Sequence, residues 1–238
     1  NMLDKKSKYG TTGNAFEVWK NYMVSLGYGY RLGLDLPGES RGFIPNEKFY
    51  DKIYGHDRWS ALTIISIAIG QGEILATPLQ IANFASIVAN RGYYYTPHVV
   101  KGIEGENIDS VYTIPKNTNI ESKYFKDIVE GMRMAVTSGT CRTADLKGVE
   151  VCGKTGTAQN PHGRDHSAFM GFAPMNNPRI AICVYVQNAG FGATYAVPIG
   201  SLMMEKYLTG SIAPERQYLE QRMVESNTMI FSGIKRNY

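Results

Sequence analysis

The sequence predicts an α+β fold in which helices come first and a small antiparallel sheet follows. Two helical periodicities and one cluster of short β-type runs carry that prediction. Phe16, Trp19, Met23 and Leu26 recur at helical spacing, as do Phe125, Ile128, Val129, Met132 and Val136, whereas residues 149–187 alternate β-prone runs with short links. With 238 residues, 43% of them hydrophobic and 19% charged, the chain is long enough to bury a substantial core, and no biased tract points to disorder or a fibrous chain.

In chain order, the first helix has Thr12 or Asn14 available as a cap and Gly27 placed to stop it. Residues Tyr28 to Trp59 are rich in Gly, Pro and charge, which predicts an extended connection pinned to the body by Tyr50, Tyr54 and Trp59. Thr77 and Pro78 start a second helix, apolar nearly all round from Leu79 to Val88 and ended by Asn90-Arg91-Gly92, so it belongs in the core. A third helix is expected from Ser122 to Val136. Strands are expected at Val149 to Thr157, Ser167 to Pro174 and Arg179 to Gln187, with Met175-Asn176-Asn177-Pro178 as the turn between the last two. Short links between successive strands favour an antiparallel meander. A helix from Val197 to Leu208 and a charged helical stretch from Pro214 to Asn227, within a tail covering 211–238, complete the reading.

Charge and cysteine content narrow the function classes. The net charge of +4 arises from 25 basic and 21 acidic residues interspersed along the chain, with no basic stripe, which argues against a nucleic-acid partner. Cys141, Cys152 and Cys183 are odd in number and lack metal-ligand spacing, so neither a disulfide framework nor a zinc site is expected. Cys152 reads as a core residue, because no activating base is nearby in sequence. His56 and His98 have no ligand partner at metal spacing. The most apolar stretch, Leu62 to Ile69, is less than half the ~20 residues that span a bilayer, and the N-terminus shows no signal-peptide pattern. This chain is therefore expected to be soluble.

The densest motif is Gly153-Lys154-Thr155-Gly156-Thr157-Ala158-Gln159. Gly148 to Thr155 fits the spacing of a phosphate-cradling loop, but that motif needs a strand before the first glycine and a helix after the lysine. Here Val149 to Cys152 is β-prone where the loop should be, and a polar turn around Asn160-Pro161-His162-Gly163 follows the motif. The nucleotide reading is set aside, which leaves the lysine on a strand. Asp165-His166-Ser167 contains the letters of a catalytic triad, but neighbours on an extended segment point to alternate faces and cannot relay a proton to each other.

The surroundings of Lys154-Thr155-Gly156 give it meaning. Ser138-Gly139-Thr140 stands upstream at a helix end, and Ser167-Ala168-Phe169-Met170-Gly171-Phe172-Ala173-Pro174 stands downstream. With Leu36-Pro37-Gly38-Glu39, Gly70-Gln71-Gly72-Glu73 and Thr77-Pro78-Leu79-Gln80, these blocks resemble, in order and over essentially the whole chain, the transpeptidase domain of class B penicillin-binding proteins of the elongation type. The resemblance implies a β-lactamase/transpeptidase-like α+β fold, with three strands of the family's five-stranded antiparallel sheet present here. It implies a substrate ending in D-Ala-D-Ala, whose carboxylate and developing oxyanion must be stabilised. Lys154 is then the fixed cation of the catalytic machinery. Thr155 and Thr157 are hydroxyl donors to the substrate carboxylate, Gly156 lets the peptide backbone lie against the strand, and the Thr157 N–H contributes to the oxyanion hole. His162 and His166 follow the motif strand and are candidates for the cleft rim. No cofactor is implied.

The family also needs a Ser-x-x-Lys and a Ser-x-Asn upstream of the Lys-Thr-Gly. No Ser-x-Asn occurs in this chain, and its one Ser-x-x-Lys, Ser232 to Lys235, lies downstream in the tail. The chain is therefore expected to be the C-terminal part, residues 1–238, of a transpeptidase domain. By itself it is expected to be inactive and, with an open edge on its last strand, prone to self-association. For the parent protein the resemblance implies a membrane anchor, a location at the periplasmic face of the cytoplasmic membrane, β-lactam binding, and partnership with a membrane glycosyltransferase of the elongation machinery. Two alternatives are a division-type transpeptidase, which shares the motifs, and a non-catalytic substrate-binding or scaffold remnant.

Overall fold

A computed structural model describes residues 8–226 of the chain. They divide into two compact units, residues 8–80 with 93–121 and residues 81–92 with 122–226.

The first unit is organised by helix caps and an aromatic core. Helix α1 (Thr12–Ser25) is capped by Thr11 rather than by Thr12 or Asn14; the Thr11 hydroxyl accepts the Asn14 N–H at 3.1 Å. Leu26 and Gly27, the latter at φ 91°, end it. Phe16 stacks on Trp19 at 5.1 Å and meets Tyr50 and Trp59 edge-on at 5.3 and 5.7 Å. Ile64 and Ile67 complete this cluster. The segment expected to be extended contains helix α2 (Glu47–Tyr54), started by the Asn46 side chain, which accepts the Phe49 N–H at 2.9 Å. Tyr50 and Trp59 pin this segment as expected. Tyr54 does not: it stacks on Tyr50 and stays exposed.

The Leu-Pro-Gly-Glu and Thr-Pro-Leu-Gln blocks prove to be scaffolding. The Glu39 carboxylate accepts the N–H groups of Leu32, Gly33 and Leu34 at 2.6, 3.0 and 3.0 Å and so folds the turn back on itself. Helix α3 (Pro78–Ala89) opens with a reciprocal capping pair in which the Thr77 hydroxyl accepts from Gln80 N at 3.1 Å and Gln80 Oε1 accepts from Thr77 N at 3.0 Å. The buried Gln80 amide then donates to the carbonyls of Tyr30 and Arg41, both at 3.0 Å. Gly42 must be glycine there, because a Cβ would stand 2.3 Å from the Leu75 carbonyl at a φ of 61°. Strand β1 (Tyr93–Tyr94), the short helix α4 (Ser110–Thr113) and strand β2 (Lys116–Asn117) follow; β1 and β2 pair antiparallel. These short elements have no counterpart in the sequence reading, because two to four residues carry no periodicity.

In the second unit α3 ends as expected, with Arg91 at φ 59° and Gly92 N–H donating to the Ile87 carbonyl at 2.9 Å. No residue from Leu79 to Ala89 is exposed. Helix α5 (Phe125–Thr137) buries Phe125, Val129, Met132 and Val136. Ile128, counted with them from the periodicity, is instead 51% exposed, since it sits at the edge of the apolar stripe. Strands β3 (Cys152–Ala158), β4 (His166–Ala173) and β5 (Ile180–Val186) form an antiparallel sheet in the order β3-β4-β5. Helix α6 (Ala196–Thr209) packs on it, and α7 (Gln217–Glu225) lies within the expected tail. Ser232 to Lys235 lie outside the described residues.

Phe169 anchors this layer. It is buried to 1% exposure, and Cβ atoms placed on Gly153, Gly171 and Gly200 would approach its ring to 2.5, 2.7 and 2.6 Å. Strand, neighbouring strand and helix each omit a side chain where the ring lies.

Candidate active site

The Lys-Thr-Gly motif occupies the middle of β3, an outer strand of the sheet among the described residues. A strand on both sides of the lysine is incompatible with a phosphate-cradling loop. Register fixes the faces: Lys154 opposes Met170, Thr155 opposes Phe169, Gly156 opposes Ala168 and Thr157 opposes Ser167. Directly opposed residues share a face, so Thr155 and Thr157 lie with Phe169, and Lys154 and Gly156 lie on the other side.

Lys154 is exposed, and its ammonium curls along the strand to donate to the Thr155 carbonyl at 2.8 Å, with the Thr155 hydroxyl 3.5 Å away. The Thr155 hydroxyl has a second neighbour, the hydroxyl of Thr140 at 2.8 Å. A cation and two hydroxyls therefore gather at one edge of the sheet, a combination suited to an anionic group. Cys141 lies beside them, fully buried. Burial pushes its thiol up, against the opposing influence of the Thr140 hydroxyl, the Lys154 charge and the Thr155 backbone. Cys152 is also buried, and burial raises its thiol to about 11, which makes it a core residue.

The strand end is held by hydrogen bonds. The Ser167 hydroxyl, fully buried, donates to the Phe191 carbonyl at 2.9 Å and accepts from Ala196 N at 3.1 Å, joining β4 to the start of α6. Gly192 comes so close to the motif that a Cβ there would stand 2.6 Å from the Gly156 carbonyl and 2.4 Å from that of Ala168. The hairpin turn after β3 is fixed by Asn160, whose amide donates to Asn188 Oδ1 at 2.7 Å and to the Arg164 carbonyl at 3.2 Å.

His162 and His166 part company here. His166 Nδ1 accepts the Asn188 N–H at 3.0 Å, and the ring packs against Tyr185 at 5.4 Å. It shares the Lys154 face but opposes Ala158, four residues along β3, about 13 Å away at strand spacing. His162 is exposed on the turn. Neither is brought to the Lys154 cluster. Thr140 is, and only as part of the Ser-Gly-Thr block could sequence have singled it out, since fifteen positions separate it from Thr155.

Residues 11–205 match the penicillin binding protein transpeptidase domain. The chain is 34% identical over 193 residues to the peptidoglycan D,D-transpeptidase MrdA of Acinetobacter baumannii, covering 74% of this chain and 29% of that protein. It is similar to the crystal structure of Pseudomonas aeruginosa PBP2 in complex with WCK 5153, at 31% identity and a TM-score of 0.73, covering 84% of this chain and 44% of the other. It is also similar to a chain of a peptidoglycan synthase complex described for its coordination of polymerization and crosslinking, at 28% identity and a TM-score of 0.69, over 85% of this chain and 34% of the other. The chain belongs to the penicillin-binding protein transpeptidase family, with the α+β fold of that domain. Within the family it is of the PBP2/MrdA type and covers part of the domain. It spans under a third of the length of the A. baumannii relative.

Proposed function

We propose that this chain is the substrate-binding part of a peptidoglycan D,D-transpeptidase that cross-links stem peptides ending in D-Ala-D-Ala. The observation that carries the reading is the convergence of the Lys154 ammonium with the Thr155 and Thr140 hydroxyls on the outer strand β3. Thr155 and Thr157 hold the terminal carboxylate, Gly156 lets the peptide backbone approach the strand, and the Thr157 N–H faces the oxyanion. Lys154 supplies positive charge beside the reacting centre. The nucleophilic serine comes from outside this chain; it attacks the penultimate D-Ala carbonyl, D-Ala leaves, and an amine of a neighbouring peptide takes the acyl group. The similarity to a chain of a peptidoglycan synthase complex that coordinates polymerization and crosslinking supports work alongside a glycan-polymerising partner; the glycosyltransferase identity of that partner and a place at the periplasmic face of the membrane are part of the same proposal. Among the described residues no helix is long and apolar enough to cross a membrane.

The test is acylation by a fluorescent penicillin, followed by intact-mass measurement. The full-length product of the gene encoding this chain is expected to take up one equivalent, and the Lys154→Ala form to take up at least about tenfold less in the same time, the scale of a lost charged group in an active site. The isolated chain is expected to take up none. A full-length product that stays unlabelled overturns the transpeptidase reading, and a stoichiometric adduct on the isolated chain overturns the assignment of the nucleophile to another segment.

A further inference from the structure

We propose that Thr140 is a positioning residue that turns the Thr155 hydroxyl into a hydrogen-bond donor toward the substrate carboxylate. This rests on the reading of β3 as the carboxylate-binding wall.

A threonine hydroxyl has one proton to give and two lone pairs to receive. Thr155 Oγ1 lies 2.8 Å from Thr140 Oγ1 and 3.5 Å from the Lys154 ammonium, which can only donate. If Thr155 spent its proton on Thr140, none would remain for an anion. When a carboxylate arrives, a charge-assisted bond outweighs a neutral one, so the network settles with Thr140 donating to Thr155 and Thr155 donating to the carboxylate. Thr140 thus accepts the role of supplying the proton that frees the one on Thr155.

The local fold keeps Thr140 in place for this. A Cβ on Gly139 would stand 2.8 Å from Ala135 Cα, so only glycine lets the chain turn this tightly over the last turn of α5. On either side of Thr140 the backbone is fixed, with Ser138 N donating to the Met134 carbonyl at 2.9 Å and Cys141 N donating to the Ala135 carbonyl at 2.8 Å. Arg142 Nε donates to the Gly139 carbonyl at 3.1 Å. Downstream, Arg216 binds the carbonyls of Thr143 and Asp145 at 3.2 and 3.3 Å. Thr140 as a residue is exposed, and its hydroxyl meets both the Thr155 hydroxyl and the buried Cys141 thiol.

The experiment is an NMR titration of the chain with diacetyl-L-lysyl-D-alanyl-D-alanine and, separately, with its C-terminal amide. Thr140→Val is expected to weaken binding of the carboxylate form about tenfold, the loss of one hydrogen bond to a charged group. Thr140→Ser should bind within about twofold of the parent, because the hydroxyl is retained, and the amide form should be indifferent to Thr140→Val. Equal binding of the carboxylate by the parent and Thr140→Val overturns the proposal, as does an equal loss for both peptides, which would mark a structural role. A parent chain that binds neither peptide, or in which Thr155→Val changes nothing, overturns the carboxylate-wall reading and this proposal with it. Binding lost in Thr155→Val but kept in Thr140→Val overturns this proposal alone.

Discussion

Arg216 ties together parts of the second unit that are far apart in sequence. Its Nε donates to the Glu205 carboxylate at 2.8 Å and its two terminal nitrogens reach the Ser201 hydroxyl at 2.7 Å and the carbonyls of Thr143 and Asp145. Glu205 is 5% exposed, and its other partner is Ala213 N at 3.1 Å. Removing the guanidinium leaves a carboxylate buried with a single backbone donor. Arg216→Ala is therefore expected to cost about 3–5 kcal/mol in urea unfolding, the range for a broken buried pair, far above the ~0–1 kcal/mol of a surface pair such as Lys126 with Glu130. A loss below about 1 kcal/mol would mean the pair behaves as a solvated one. Nothing in the sequence announces Arg216, because its partners lie eleven to seventy-three positions away.

At the scale of elements, two glycines in helices set opposite requirements. Gly131 in α5 has nothing within 4 Å of where a Cβ would stand, whereas Gly200 in α6 faces the Phe169 ring at 2.6 Å. Alanine improves helix propensity at either site by up to about 1 kcal/mol. At Gly131 that gain stands alone, so Gly131→Ala is expected to raise the melting temperature. At Gly200 overpacking costs about 1–3 kcal/mol, since the ring cannot withdraw toward Gly153 or Gly171 without closing on them, so Gly200→Ala is expected to lower it. The same signs for both variants in thermal unfolding would refute this account of the α6 contact. Helical period revealed α5, because it buries a stripe several turns long. It missed α2, whose eight residues sit among turn formers, and it admitted Ile128, which the true stripe leaves out.

Across the whole molecule, exposed apolar side chains are numerous. Leu62, Ile65 and Ile69 are 78, 62 and 74% exposed within one short segment, and β3 and β5 each have one strand neighbour among the described residues. Unpaired strand edges and apolar patches favour association. Light scattering of the isolated chain is expected to give a mass that rises with concentration above that of one chain; a constant monomer mass would count against it.

The order of the longer helices and of the three-stranded sheet, the strand placement of Lys154 and the family were readable from residue types alone, because hydrophobic period and turn residues act over a few positions, and the motif blocks stand in line. Which polar groups meet was not. Tertiary structure decided that Thr140 would join Thr155, that His166 would serve Asn188 and stay away from the Lys154 cluster, and that Gln80 and Glu39 would brace loops. Those contacts depend on where chain segments distant in sequence come to rest, and a hydrogen bond demands a match of a few tenths of an ångström that no local pattern encodes.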